Sequence, residues 1–324
     1  MDATHRTSAY KPALAWFAAL GTLWVFVLVT LGAFTTSIGA GMAFLDWPLS
    51  NGSLNPKGWL TEPDKFAEHS HRLSASVMST VTIILAIWLW RTEARRWLRR
   101  LAWFAVGLVL AQALVGGLRV LCDRLQIEMV DTSLGRLFAM LHACLAQLFI
   151  CTLLALATAC SRPWIEGRSR GDTSTLRRTG LVCCGLLFLQ LAIAAIMRHS
   201  FAGLAIPYFP TSTPDGHLLP EAWNFRVGIN FAHRVMAMVL TIALGWFAIR
   251  LWTSRAASLA MRCGASILVC LVALQITLGA QIIWTSRNAV MTTGHVLVGA
   301  LTLATTFWIT WLAHRDVVEA RANP

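Results

Sequence analysis

Four histidines stand near the starts of long apolar runs: His71, His142, His233 and His295. Two of them recur with their neighbours. Glu68-His69-Ser70-His71-Arg72 opens one run and Asn230-Phe231-Ala232-His233-Arg234 opens another, at a constant offset of 162 residues. Neutral imidazole is a ligand for iron, copper and zinc alike. Two imidazoles on helices that face each other across a bundle suit a heme iron held from both sides, and four histidines supply two such pairs. A bare metal ion is the rival ligand. Two imidazoles alone make a poor zinc site, and no carboxylate or thiolate partner recurs in both halves, whereas a porphyrin brings its own equatorial nitrogens.

Arg72 and Arg234 directly follow their histidines, turned about 100° from the imidazole by one helical step, and are candidates to pair with the propionates of a porphyrin. Snorkelling to the membrane surface is the alternative use of such residues. Arg119, Arg136, Arg198 and Arg226 are further candidates of the same kind. Glu68 is the asymmetric element. It lies one turn before His71 and on the same face, while the corresponding position in the second half is Asn230. A carboxylate there either caps the helix or takes part in chemistry. His69, His199 and His217 have no counterpart in the repeat and read as loop residues.

The elements that must position these groups are membrane helices. Of 324 residues, 56% are hydrophobic, and the mean hydropathy is +0.62, which excludes an ordinary soluble domain. Runs nearly free of charge lie at roughly 14–38, 73–90, 101–118, 137–160, 180–197, 227–249, 263–284 and 289–313, which predicts eight spans of an all-α integral membrane protein. The first is too long for a cleaved leader and reads as an uncleaved anchor. A net charge of +12 does not imply nucleic acid, because the arginines sit in short loops. Arg91, Arg95, Arg96, Arg99 and Arg100 follow span two; Arg162, Arg168, Arg170, Arg177 and Arg178 follow span four; Arg250, Arg255 and Arg262 follow span six. The positive-inside rule then places these loops and both termini in the cytoplasm, in a cell inner (plasma) membrane, with the four histidines toward the outer side. The cysteines lie mostly in or beside apolar runs, and only Cys122 falls in an outer loop, so no outer disulfide is expected within the chain.

The repeat reaches beyond the histidines. Ala40-Gly41-Met42-Ala43-Phe44-Leu45-Asp46-Trp47-Pro48-Leu49-Ser50 aligns with Ala202-Gly203-Leu204-Ala205-Ile206-Pro207-Tyr208-Phe209-Pro210-Thr211-Ser212, and one residue later Gln112 and Gly116 match Gln275 and Gly279. His142 matches His295 once an insertion around Leu121–Leu134 is allowed. The expected architecture is therefore two tandem, pseudo-symmetric four-helix bundles, residues 1–160 and 180–324, joined by a cytoplasmic linker at 161–179.

With these motifs in place, the chain resembles the heme A synthase family of respiratory membranes. The resemblance rests on Gly41, Asp46-Trp47-Pro48, Glu68-x-x-His71-Arg72, His142, Gly203-Leu204-Ala205-Ile206-Pro207, His233-Arg234 and Thr293-Gly294-His295. It implies that His71 and His142 flank heme O as substrate, that His233 and His295 hold a heme b cofactor, and that Glu68 is needed for turnover. The implied reaction oxidises one ring methyl of heme O to a formyl group by successive hydroxylations, making heme A for cytochrome c oxidase. The implied partners are a heme O synthase as supplier, cytochrome c oxidase assembly as recipient, membrane lipid and a second copy in a homo-oligomer. The family's outer-loop cysteine pair is missing, since residues 39–66 and 199–224 contain no cysteine. Two other classes compete: a di-heme membrane cytochrome for electron transfer, with two equivalent filled sites, and a heme transporter or chaperone.

Overall fold

A computed structural model describes residues 6–128, 132–167 and 171–322; Arg168 and Arg170, two of the arginines after span four, fall outside it, as does the middle of the 121–134 insertion. The chain folds as α1 (Pro12–Ser37), α2 (Pro63–Thr92), α3 (Arg96–Leu121), β1 (Gln126–Ile127), β2 (Thr132–Ser133), α4 (Leu134–Cys160), α5 (Arg162–Ile165), α6 (Ser174–His199), α7 (Phe225–Thr253), α8 (Leu259–Trp284) and α9 (Ala289–Ala322). Eight of these helices are long and apolar enough to cross a membrane, and the protein is a multi-pass membrane protein.

The helices outrun the apolar runs that announce them. α2 begins at Pro63, with proline in the first helical turn and Asp64 beside it, so His71 lies about two turns inside the helix rather than at its mouth. α7 starts where the Asn224 side chain accepts from Val227 N at 3.0 Å, and α4 where Ser133 Oγ accepts from Arg136 N at 3.1 Å. Hydropathy cannot see these starts, because polar residues form helix as readily as apolar ones once capped. The insertion after α3 is a small antiparallel hairpin with Gln126 opposite Ser133.

α1 packs on α2 and α4, and α3 on α2 and α4; α6 packs on α7 and α9, and α8 on α7 and α9. The two groups meet where α1 touches α9 and α4 touches both α6 and α9. Burial agrees: 61% of the most apolar stretch of α4 and 56% of that of α9 is enclosed, against 11% in α8, so α4 and α9 form the centre and α8 faces lipid. Small residues line the contacts, among them Ala18, Ala86, Ala105, Ala155, Ala265 and Ala304, which lets backbones approach where lipid gives helices no hydrophobic reason to associate. Buried threonines in this core are satisfied within their own helix. Down α9, Thr302, Thr306 and Thr310 each donate to the carbonyl four residues before, at 2.7–2.8 Å.

At the arginine-rich end the turn between α2 and α3 is tied to the end of α9. Arg95 donates to Glu93 through Nε at 3.0 Å and Nη2 at 3.1 Å, and to Glu319 at 3.2 Å, while Trp164 Nε1 donates to the same Glu319 oxygen at 2.6 Å. Trp164 stacks on Trp311, with ring centroids 5.3 Å apart. Glu93 and Arg95 are 2% and 9% exposed, so neither charge has water as a substitute partner. Desolvation alone would raise the Glu93 carboxyl, but the hydrogen bonds and charge of Arg95 outweigh it and hold the group below 4.5.

Removing one partner of a buried pair leaves the other uncompensated, at a cost of about 3–5 kcal/mol. Arg95→Met is therefore expected to lower thermal stability in detergent markedly, and pairing it with Glu93→Gln should recover much of the loss; equal damage in the single and double variants would show that the charges are not coupled. Because the folded carboxyl titrates below 4.5, the pair's contribution is complete above that pH and fades as pH falls through the depressed folded value.

Candidate functional site

Two turns of helix set the depth of every candidate ligand. His71, His142, His233 and His295 each lie about two turns from the start of α2, α4, α7 and α9, at the end of the bundle away from the Arg95 cluster. The rings of His233 and His295 face each other with centroids 6.4 Å apart. Two imidazoles bound on opposite sides of one metal, with bonds of about 2.0–2.1 Å and about 1.1 Å from each nitrogen to its ring centre, would stand about 6.3 Å apart. The observed separation fits that arrangement.

Each ring is seated by a neighbouring helix. Nδ1 of His295 lies 3.1 Å from the Gln275 carbonyl on α8. Donating there, it leaves the Nε2 lone pair to accept from the Gln275 side-chain amide at 3.3 Å, a contact that a metal bond would replace. Gln190 on α6 holds His233 at two points, Nδ1 and the main-chain carbonyl, both at 3.1 Å. In the first group Gln112 donates to the His142 carbonyl at 3.1 Å. Nδ1 of His71 and Nδ1 of His142 are buried without a hydrogen bond of normal geometry, the rings lying toward the main chain of Leu28 and of Gln112. Three rings lie against glycine. A Cβ on Gly32 would come within 2.8 Å of the His71 ring, one on Gly116 within 3.1 Å of His142, and one on Gly279 within 3.3 Å of His295. The glycine seats and the all-imidazole donor set fit a bis-histidine heme. Among the described residues no cluster of three or more His, Cys, Asp or Glu forms a bare-metal site.

Arg72 and Arg234 bind the outer loops. Arg72 donates to the carbonyls of Phe44 (3.4 Å), Asp46 (2.8 Å) and Leu49 (2.5 Å) and to Glu68 Oε1 (2.5 Å). Arg234 does the same for the second loop, reaching Ile206 O (2.9 Å), Thr211 O (3.1 Å) and Asn230 Oδ1 (3.1 Å). Their guanidinium groups hold the outer loops down, a role that the expectation of propionate pairing did not include. Both loops also carry a cis peptide at matching places, Trp47-Pro48 and Phe209-Pro210.

Glu68 is 4% exposed, and its second oxygen accepts from the backbone of Ala43 at 2.7 Å and Phe44 at 3.2 Å. Asn230 performs the mirror task with the opposite polarity, donating to the carbonyls of Ala202 at 2.8 Å and Gly203 at 3.2 Å. The first loop thus turns N–H groups toward position 68, and the second turns carbonyls toward position 230. Asp46 accepts from Asn51 and Gly52, both at 2.8 Å. Burial works against its charge, yet these donors and Arg72 hold its carboxyl below the ordinary value.

Two histidines expected in loops are elsewhere. His69 is inside α2, 3% exposed, with Nδ1 3.1 Å from Ser50 Oγ and its ring 4.8 Å from that of Trp59. His199 closes α6 and, with Arg119, Arg136 and Arg198, lines a cavity between the two helix groups. Gln190 was missed because its partner position in the first half is Leu28, so the repeat gives it no signal.

Comparison with known proteins bears on the whole of this frame. The heme A synthase of Lysinibacillus sphaericus (strain C3-41) is 25% identical over 300 residues, covering 89% of this chain and 91% of that protein. That of Geobacillus kaustophilus (strain HTA426) is 26% identical over 288 residues, 87% of this chain and 86% of the relative. That of Listeria monocytogenes serotype 4a (strain HCC23) is 25% identical over 308 residues, 94% and 97%. The pattern of the COX15-CtaA family, cytochrome oxidase assembly protein, matches residues 15–307, a stretch that takes in all four histidines and both loop clamps and reaches into all eight spans, and the chain belongs to that family.

Proposed function

We propose that this protein is a heme A synthase, oxidising a ring methyl of heme O to a formyl group by successive hydroxylations and so supplying heme A for cytochrome c oxidase. The observation that carries the reading is the pair of facing imidazoles, His233 and His295, at a separation suited to a six-coordinate iron. A second pair, His71 and His142, has buried nitrogens without a hydrogen bond of normal geometry. The names of the relatives support heme A as the product.

In this reading α1–α4 form the substrate half and α6–α9 the cofactor half. His71 and His142 flank heme O, with Gly32 and Gly116 setting the ring planes. His233 and His295 hold heme b, which supplies one-electron redox chemistry when bound. Taking a methyl carbon to the aldehyde level is a four-electron oxidation, so a one-electron carrier in the neighbouring half, relaying electrons singly to an external acceptor, gives the duplication a use. Gln190 and Gln275 fix the cofactor imidazoles, and their hydrogen bonds tune the ligands' basicity. Glu68 keeps a negative charge one turn from His71, secured by Arg72 and two backbone N–H groups. That charge stabilises positive charge developing at the substrate carbon and biases proton release. The second half, with Asn230 in its place, holds its heme without changing it.

His233→Leu and His295→Leu are each expected to strip heme b from the purified protein, read from its pyridine hemochrome spectrum; full heme b occupancy in both would refute the assignment of the cofactor pair. Glu68→Gln should fold and retain heme b yet accumulate heme O or a partly oxidised product in extracted pigments. A normal heme A yield from that variant would reduce Glu68 to a loop anchor. The arginine-rich loops face the cytoplasm in this reading, so a reporter fused after Arg255 should read internal and one after His217 external, and the reverse result would invert the topology.

A further inference from the structure

Between the two helix groups, on the side of the imidazoles, lies a cavity of about 220 Å³. Its wall includes Arg119 from α3, Arg136 from α4, Arg198 and His199 from α6, Arg287 from the turn before α9, and one carboxylate, Asp123. Asp123 is already engaged, accepting from Ser133 Oγ at 3.0 Å. Among the described residues none of the four arginines is in an ion pair. Arg198 donates to Ser37 Oγ at 3.3 Å, and Arg136 lies over the Phe201 ring at 4.9 Å, contacts that use some donors and cancel no charge. Guanidinium does not shed its proton, so four converging cations in a recess between membrane helices call for an oxyanion. The fork of donors on each matches a carboxylate.

The cavity adjoins the first imidazole pair. Arg119 lies one turn beyond Gly116, the seat of His142, and Thr36 and Ala139 of the cavity wall lie one turn from Gly32 and His142. The Arg119 guanidinium is packed against Gly41 so closely that a side chain there would collide with it, so the first loop holds this arginine in place. We propose that this cavity takes the two propionate carboxylates of the porphyrin held between His71 and His142, so that Arg198 and His199 of the second half fix the in-plane rotation of the substrate in the first. Axial imidazoles leave a porphyrin free to turn about their common axis. Anchoring the edge that bears the carboxylates removes that freedom and selects which ring methyl stands beside Glu68. The proposal rests on the reading of α1–α4 as the substrate half.

The test is a titration of the purified protein, carrying its resident heme and prepared from cells that make no heme O, with ferric protoporphyrin IX and with its dimethyl ester. The signal is the Soret shift that disappears in His71→Leu. The diacid is expected to bind at least about tenfold more tightly than the diester, the scale of one charge-assisted hydrogen bond. Arg198→Gln should erase most of that ratio while leaving resident heme content and spectrum unchanged, and Arg198→Lys should keep part of it. Arg119→Gln provides the same reading from the other half should Arg198→Gln fail to purify. Equal binding of diacid and diester by the unmodified protein, or an undiminished ratio in both glutamine variants, overturns the proposal. Loss of bound phospholipid from Arg198→Gln with the ratio intact overturns it too, making the cavity a lipid-phosphate site. A His71-dependent shift without discrimination sinks this proposal alone; no such shift with either porphyrin removes the substrate-half reading and the proposal with it.

Discussion

The outer face of this protein hangs on one interaction used twice: an arginine inside a membrane helix donates to the main-chain carbonyls of the loop above it. Arg72 and Arg234 each gather carbonyls from both arms of a loop and lean on the residue one turn earlier, Glu68 or Asn230. At the membrane surface an irregular loop has few ways to satisfy its backbone, and a buried guanidinium with five donors solves that problem at one point. Histidine depth follows from it. Because the arginine is helical and anchored, the adjacent imidazole is held within the bundle and cannot swing out to water.

Much of this was written in the repeat. The offset of 162 residues paired His71 with His233, Arg72 with Arg234 and Glu68 with Asn230, and each pair occupies corresponding places in its loop clamp. Gln112 with Gln275, and Gly116 with Gly279, proved to be the residues that seat His142 and His295. What the repeat could not show was the use of a side chain whose partners are far away in sequence. An arginine next to a histidine reads as a propionate binder, and its bonds to loop carbonyls far away in sequence become visible only in the fold. His69 read as loop because hydropathy marks where a helix becomes apolar, whereas α2 starts earlier, at a proline. Arg119, Arg136 and Arg198 were legible as candidates one by one, but their convergence on one cavity was not, because they sit on helices from different groups and meet only in the fold.

The two ends of the molecule are built on different principles. At the arginine-rich end opposite charges are matched, Glu93 and Glu319 against Arg95, under a stack of tryptophans. At the histidine end cations outnumber anions around the cavity, and imidazole nitrogens lie buried without a hydrogen bond of normal geometry. One end has the character of a finished core and the other that of a receptacle, which is where a stable scaffold and a binding site should be expected to differ.

The central place of α4 and α9 has a consequence for distance. Each carries one imidazole of a pair, and the two helices touch along the interface between the groups. Packed helices keep their axes about 8–10 Å apart. A group carried on α4 and one carried on α9 are therefore separated by a single helix contact, so a charge moving between the helix groups has a path through protein that avoids lipid.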